Sequence, residues 1–340
     1  MPTKKAIFDK KNILVVGGAG FVGSHLCDEL VKDNKVICLD NFLTGSHDNI
    51  AHLLANPNFK FINHDIIIPA ALENFPELKD FKIEFQGLQT IYFLASPTSS
   101  LAYLKLPLET LLVNSVGLRN SLDLAVKYKA QFLFASSPAV YGQAPIGRLI
   151  KEDYVGAVDQ LSPRACFSEA KRFGETLTLN YRQQYNLDAK IVRIFNCYGP
   201  RLKLSDGRMI PELIRQAISN EEITIYGNEQ SFGSYFYISD LIKALLKIMN
   251  SAEFGPINIA SDWQNKYSAI AAKIIKLANS QSKITYQPLT ENFQDQPLAD
   301  ITLAKEKLGW FPIVLLEEGL KKTVDYLTAQ KDIRHPEDWL

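Results

Sequence analysis

The chain of 340 residues has no charge excess of either sign: Lys plus Arg and Asp plus Glu both number 37. A balanced surface gives no electrostatic reason to bind nucleic acid or an anionic membrane. Long apolar runs are missing too. Runs such as Ile13–Val16 and Phe132–Ala135 are far shorter than the ~20 residues a membrane span needs. Met1–Lys5 is basic but no apolar stretch follows, so no secretory leader is expected. The four cysteines (Cys27, Cys38, Cys166, Cys197) include no C-x-x-C pair and read as buried free thiols of a reducing compartment. The five histidines (His25, His47, His52, His64, His335) show no ligand spacing. The expectation is a cytoplasmic, metal-free protein with no nucleic-acid or membrane partner. There are no internal repeats or low-complexity segments either, and 46% hydrophobic with 22% charged residues is ordinary globular composition. The length suits one large or two fused domains.

What is present begins at Asn12–Gly23. An apolar run, Ile13–Val16, leads into glycines 17, 20 and 23, and Ser24–Val31 follows at helical period. Gly17 permits a tight turn and Gly20 lets backbone N–H groups approach a diphosphate. Gly23 allows a helix to pack closely, with the anion at its N-terminus. The next strand, Lys35–Leu39, ends in Asp40, placed to accept both hydroxyls of an adenosine ribose. No arginine follows Asp40 immediately and its charge repels a 2′-phosphate, so NAD is expected over NADP.

Strand and helix patterns then alternate. A short helix is expected around Ile50–Leu54 and strands at Lys60–Asp65, Leu88–Leu94, Gln131–Ala135 and Lys190–Phe195. Long helices are expected at Leu106–Tyr128 and Arg164–Tyr185, and a late one at Leu315–Leu327. Alternation of this kind predicts an α/β fold, a doubly wound parallel sheet of Rossmann type. The pattern changes after Asn196 to loops and shorter elements. The expected division is an NAD-binding domain over 1–195 and a smaller C-terminal substrate-binding lobe over 196–340, interleaved to some extent. Asp65 and Ile66 are placed to flank an adenine.

Further segments carry a family likeness. These are Leu94–Pro97, Asn114, Ala135–Gly142, Ser162–Arg172 and Arg193–Arg201. Together with the glycine turn they resemble the extended short-chain dehydrogenase/reductases of the NAD-dependent epimerase/dehydratase family. Val36–Leu54, Phe93–Tyr103 and the loop from Gly199 to Arg208 are most similar to the UDP-glucuronate decarboxylases. The resemblance implies NAD as cofactor, a UDP-sugar as substrate and a homodimer paired through the two long helices. It implies cofactor contacts from Gly17, Gly20, Phe21, Val22, Gly23, Asp40, Asn41, Asp65, Ile66, Leu94, Ala95, Ser96 and Lys171. Substrate contacts are implied for Tyr103, Asn196, Arg201 and Arg208.

In that family a tyrosine four residues before a lysine removes the hydroxyl proton of sugar C4 while NAD+ takes the hydride. A Ser or Thr hydrogen-bonds the same oxygen. Here Lys171 matches the lysine and Ser137 the hydroxyl, but Phe167 stands at the tyrosine position. A family glutamate is matched by Ala139, and a family arginine by Gly233. A positioned general base contributes about 10²–10⁴ in rate, so three departures in one pocket imply an altered catalytic site. Ser137, Tyr103 and Tyr235 are candidate substitutes, with the Cys166 thiol a weaker one. Two readings stay open at this point. One is a C4-oxidising enzyme acting by decarboxylation, epimerisation or dehydration. The other is a silent NAD- and nucleotide-sugar-binding sensor or partner subunit.

Overall fold

The computed structural model describes residues 10–143, 145, 147–289 and 297–333. Met1–Lys5 and His335 lie outside that set. Seven strands form one sheet: β1 (Asn12–Val16), β2 (Lys35–Asp40), β3 (Phe59–Asn63), β4 (Thr90–Phe93), β5 (Gln131–Ser136), β6 (Ala189–Ile194) and β7 (Ile257–Ile259). Their order is β7-β6-β5-β4-β1-β2-β3, with parallel pairing and the order reversal beside β1. In such sheets ligands sit outside the carboxyl ends of the strands, at that reversal.

The chain divides into two compact units. The first comprises the chain up to Ser96 with Leu108–Ala135 and Arg172–Ile191; the second comprises Pro97–Pro107, Ser136–Lys171 and the chain from Val192 onward. In the first unit β1 is buried at every position, as expected of a parallel strand covered on both faces. Leu14, Val16, Ile37, Leu39, Ile91, Phe93, Phe132 and Phe134 form the sheet side of its core, and Leu118, Leu122 and Ala125 the helix side. Asn12, fully buried within β1, donates from Nδ2 to the carbonyls of Phe81 and Gly87, each at 2.9 Å. Those bonds satisfy its amide nitrogen, while its Oδ1 is buried without a hydrogen-bond partner among the described residues.

Several expected elements shift. The helix foreseen around Ile50–Leu54 is a pair of 3₁₀ turns, His47–Asn49 and Ala51–Leu53, too short to propagate α hydrogen bonding. The helix foreseen at Leu106–Tyr128 starts at Pro107 and contains a π turn, Val113–Gly117, before α2 (Leu118–Tyr128). Fully buried Asn114 sits in that turn, with Nδ2 donating to Ser96 Oγ and to Thr110 O, each at 2.9 Å. The second long helix is α3 (Ala165–Tyr185), and the late helix runs Leu316–Ile333. Strand β7 had no forecast. Three residues, Ile-Asn-Ile, are too short to show a period, and only pairing of Val192–Ile194 with Ile257–Ile259 defines the strand. The thiols also need correction: Cys27 and Cys38 are buried, but Cys166 and Cys197 are partly exposed, and all four are free.

Candidate active site

In the first unit the turn after β1 is shaped by sterics that only glycine meets. Gly17 has φ +81°, and a Cβ there would lie 2.7 Å from Ala95 Cα. Its N–H donates to Leu39 O at 2.8 Å, tying the turn to β2. At Gly23 a Cβ would fall 2.1 Å from Gly17 O, so α1 (Phe21–Leu30) can start hard against the turn only because Gly23 has none. Gly20, extended at φ −75° and ψ 177°, precedes the helix; no side chain caps it and no acid stands in the first turn. Helix geometry leaves the first-turn amides of Phe21, Val22 and Gly23 without intrahelical acceptors, which is the arrangement a diphosphate occupies.

Asp40, at the end of β2 and 8% exposed, holds this turn in shape. Its Oδ2 accepts from Ala19 N–H at 2.9 Å and its Oδ1 from Phe42 N–H at 2.8 Å. Asn41 is exposed and closes its own turn through Leu43 N–H at 3.0 Å. Asp65 accepts from Ile67 N–H at 3.0 Å, while buried Ile66 offers its carbonyl to Asn120 Nδ2 at 2.8 Å. Leu94 N–H bonds Val16 O at 2.9 Å, and Ser96 takes the Asn114 bond already described. A cradle that a Cβ would fill, bare first-turn amides and a carboxylate at the next strand end fit an adenine dinucleotide.

The second unit holds the residues expected to react. Ser137 follows β5 and caps the turn Pro138–Tyr141, its Oγ accepting from Ala139 N–H at 3.2 Å. Phe167 and Lys171 lie one turn apart on α3, 6% and 3% exposed, with Lys171 Nζ 5.8 Å from the Phe167 ring centre. The ring of Tyr103 stacks flat on Phe167, centres 4.9 Å apart and planes within 7°. The Arg164 guanidinium lies 5.7 Å from the Tyr103 ring centre, and Cys166 Sγ contacts Tyr103 O at 3.5 Å. Burial pushes the Tyr103 phenol up, against the opposing charges of Arg164 and Arg208. Burial likewise raises the Cys166 thiol, which keeps it protonated and a poor base.

The loop toward Arg208 is also organised within this unit. Arg208 Nε pairs with Asp206 Oδ1 at 3.2 Å, and its Nη2 donates to Thr98 Oγ1. Burial raises the Asp206 carboxyl despite Arg208 and Lys203. Arg201 has φ +69°, in the left-handed region that an ordinary side chain adopts at a cost. Asn196 Nδ2 donates to Ser234 O at 3.3 Å. At Gly233 the space beside the backbone is filled by aromatic rings: a Cβ would lie 2.8 Å from Tyr267 Cε1 and 3.0 Å from Tyr235 Cε2. The Tyr235 hydroxyl is turned to Met209 Sδ at 3.6 Å, a contact that engages one of the candidate substitute bases.

Sequence reasoning missed four participants: Thr98, Arg164, Asp206 and Tyr267. Asp206 was within reach, because an acid two residues before Arg208 invites pairing. Tyr267 carried no signal, since it meets Gly233 only through the fold.

A profile of the NAD dependent epimerase/dehydratase family matches residues 13–260, most of the chain. The chain belongs to that family. NAD is therefore its cofactor, in agreement with the cradle around Gly17 and Asp40. Among relatives, UDP-glucuronic acid decarboxylase 1 of Xenopus tropicalis is 38% identical over 328 residues, covering 96% of this chain and 74% of that protein. UDP-glucuronic acid decarboxylase 5 of Arabidopsis thaliana is 37% identical over 326 residues, covering 94% and 90%. Among solved structures, a tyrosine-to-phenylalanine mutant of UDP-glucuronic acid 4-epimerase from Bacillus cereus, in complex with UDP-4-deoxy-4-fluoro-glucuronic acid and NAD, superposes with TM-score 0.79. It is 27% identical, with 94% of this chain and 99% of that chain covered. Among the described residues no helix is long and apolar enough to cross a membrane, and no His, Cys, Asp or Glu cluster could hold a metal ion.

Proposed function

We propose that this protein is an NAD-dependent enzyme that oxidises C4 of a UDP-sugar, with UDP-glucuronate as substrate and decarboxylation as the outcome. The observation that carries the reading is Lys171. It stands at the place of the lysine in the family motif, one helical turn from Phe167, and is 3% exposed. The retained Ser137 adds to this and disfavours a silent binding protein. Bound NAD+ supplies the acceptor for the C4 hydride.

The chain's own residues position and stabilise. The Ser137 hydroxyl donates to the C4 oxygen, and the Lys171 ammonium holds ribose hydroxyls while favouring negative charge nearby. Asn196, Arg201 and Arg208, from the 196–340 lobe, grip the nucleotide. Once C4 is a ketone, the C5 carboxylate is a β-keto acid. The bond from C5 to the carboxylate breaks with its electron pair flowing into the C4 ketone as an enolate, CO₂ leaves, C5 takes a proton from solvent, and re-reduction of the C4 ketone would complete the product. A homodimer is part of the reading. Leu108, Leu112 and Val116, 68%, 44% and 41% exposed at four-residue spacing, give the first unit an apolar helical stripe. The free thiols support a reducing compartment, such as the cytoplasm.

The test is single-turnover mixing of protein, NAD+ and UDP-glucuronate, followed by the NADH absorbance and mass spectrometry of the product. The expected product has lost CO₂. A new UDP-sugar of unchanged mass would make the enzyme an epimerase, loss of water a dehydratase, and no reaction with any UDP-sugar would sink the reading.

A further inference from the structure

We infer that Asp206 and Thr98 are positioning residues that clamp the Arg208 guanidinium and present its Nη1 edge to an acceptor oxygen of the uridine nucleotide, a conclusion that rests on the UDP-sugar reading above. All three residues belong to the second unit.

The clamp starts in the backbone. Asp206 ends the turn Leu204–Asp206, and Gly207 follows at φ +77°, a left-handed conformation that suits glycine. That reversal brings the side chains of residues 206 and 208 together, with Arg208 Nε 3.2 Å from Asp206 Oδ1. Arg208 is also the N-cap of the helix Met209–Ile218, and its carbonyl accepts from Glu212 N–H at 3.1 Å. From the other side the helical turn Ser100–Lys105 lies against Gly207, where a Cβ would fall 2.3 Å from Leu101 Cδ1. Thr98, two residues before that turn, is thereby held where its Oγ1 accepts from Arg208 Nη2.

Two features of the clamp point to a ligand. Nε and Nη2 are engaged, but no described residue hydrogen-bonds Nη1, and with the Arg208 side chain 31% exposed that edge faces solvent. Asp206 shows the reverse. Its Oδ1 is buried, and although Nε stands 3.2 Å away it receives no aligned hydrogen bond. Buried carboxylate oxygens ordinarily are bonded. An acceptor oxygen on Nη1 draws the guanidinium round by the small angle that lines Nε up with Oδ1, so ligand and carboxylate are satisfied together. Thr98 is exposed, and its bond adds little to folding. Its use is to keep the guanidinium from swinging away before the nucleotide arrives, which lowers the ordering cost of binding.

The experiment measures UDP affinity by calorimetry for the wild type, Thr98→Ser, Thr98→Val, Asp206→Asn and Arg208→Ala, and for Thr98→Val and Asp206→Asn each combined with Arg208→Ala. Arg208→Ala should weaken UDP binding by about 30-fold, Asp206→Asn by about 10-fold and Thr98→Val by about 5-fold. Thr98→Ser keeps the hydroxyl and should bind within about twofold of wild type. In the Arg208→Ala background neither second substitution should cost more than about a further twofold, because residues acting through one guanidinium are not additive. A merely structural role would carry its full cost into that background. Should Asp206→Asn fail to fold, the Thr98 series decides alone. Thr98→Val or a folded Asp206→Asn within about twofold of wild type, or either keeping its full effect beside Arg208→Ala, overturns the inference and leaves the UDP-sugar reading standing. A wild type that binds no UDP overturns both.

Discussion

At the turn after β1 the fit to a ligand is written into the backbone, whereas at the first turn of α3 it rests on a few side-chain atoms. A Cβ on Gly17 or Gly23 would come within 2.7 or 2.1 Å of neighbouring backbone atoms, and Asp40 braces the same turn with two backbone N–H bonds. A sequence cannot drift there without losing the cradle. At α3 Phe167 lacks the one oxygen a tyrosine would carry there, while its ring is packed flat against Tyr103. The cofactor region is thus constrained by sterics and the reacting region by the chemistry of a few side-chain atoms.

Gly23→Ala tests the first half of this comparison most severely. The new methyl meets Gly17 O and Gly18 Cα, so α1 must back away from the turn and the first-turn amides lose their aim. NAD affinity should fall by more than about 100-fold, roughly 3 kcal/mol, by calorimetry. A change of less than threefold would remove the steric argument.

Asp40→Asn should come next. The amide keeps one acceptor but sets an NH₂ against a backbone N–H and forfeits charge-assisted bonds. We expect NAD binding to weaken by about 10–100-fold, or ~1.5–3 kcal/mol, with a lower Tm in the absence of NAD. If affinity falls while the apo Tm is unchanged, Asp40 touches ribose without bracing the turn.

Leu112→Lys probes the stripe on the helical segment of the first unit rather than either site. If that stripe pairs two copies, light scattering should show a shift from dimer to monomer at micromolar concentration. NAD affinity should stay within about twofold, since distant sites act independently. A dimer that survives the charge places the contact elsewhere.

The sequence showed the region constrained by sterics well and the other region poorly. Glycine spacing and Asp40 are local signals, readable because strand, turn and helix follow one another within thirty residues. The parallel sheet was legible for the same reason through β6. What escaped was non-local. β7 is three residues long, Tyr267 reaches Gly233 only in the folded chain, and the π turn at Asn114 breaks no helical period. Tyr103 could be named as a candidate from its motif, but its stacking on Phe167 belongs to the fold.

The smallest effect contrasts Asp40 with Glu152, a carboxylate of the second unit bonded to a single backbone N–H. Glu152 Oε1 accepts one backbone N–H, from Asn258 at 2.8 Å, where Asp40 accepts two. Burial raises the Glu152 carboxyl above its ordinary value of 4.5, and the backbone bonds and Arg193 only partly offset this. A raised carboxyl binds its proton more tightly folded than unfolded. The Glu152 contribution to stability is therefore most favourable below 4.5 and declines as pH climbs through the window up to the raised value, then stays lower. Glu152→Gln keeps an acceptor for Asn258 and removes the buried charge, so its Tm at pH 7 should equal or exceed wild type by about 2 °C. The gap should close as pH drops below the ordinary carboxyl range. Were Glu152→Gln less stable at pH 7, or the gap independent of pH, this carboxylate would share the bracing role of Asp40, and the contrast between ligand-holding and structural acids would lose its basis.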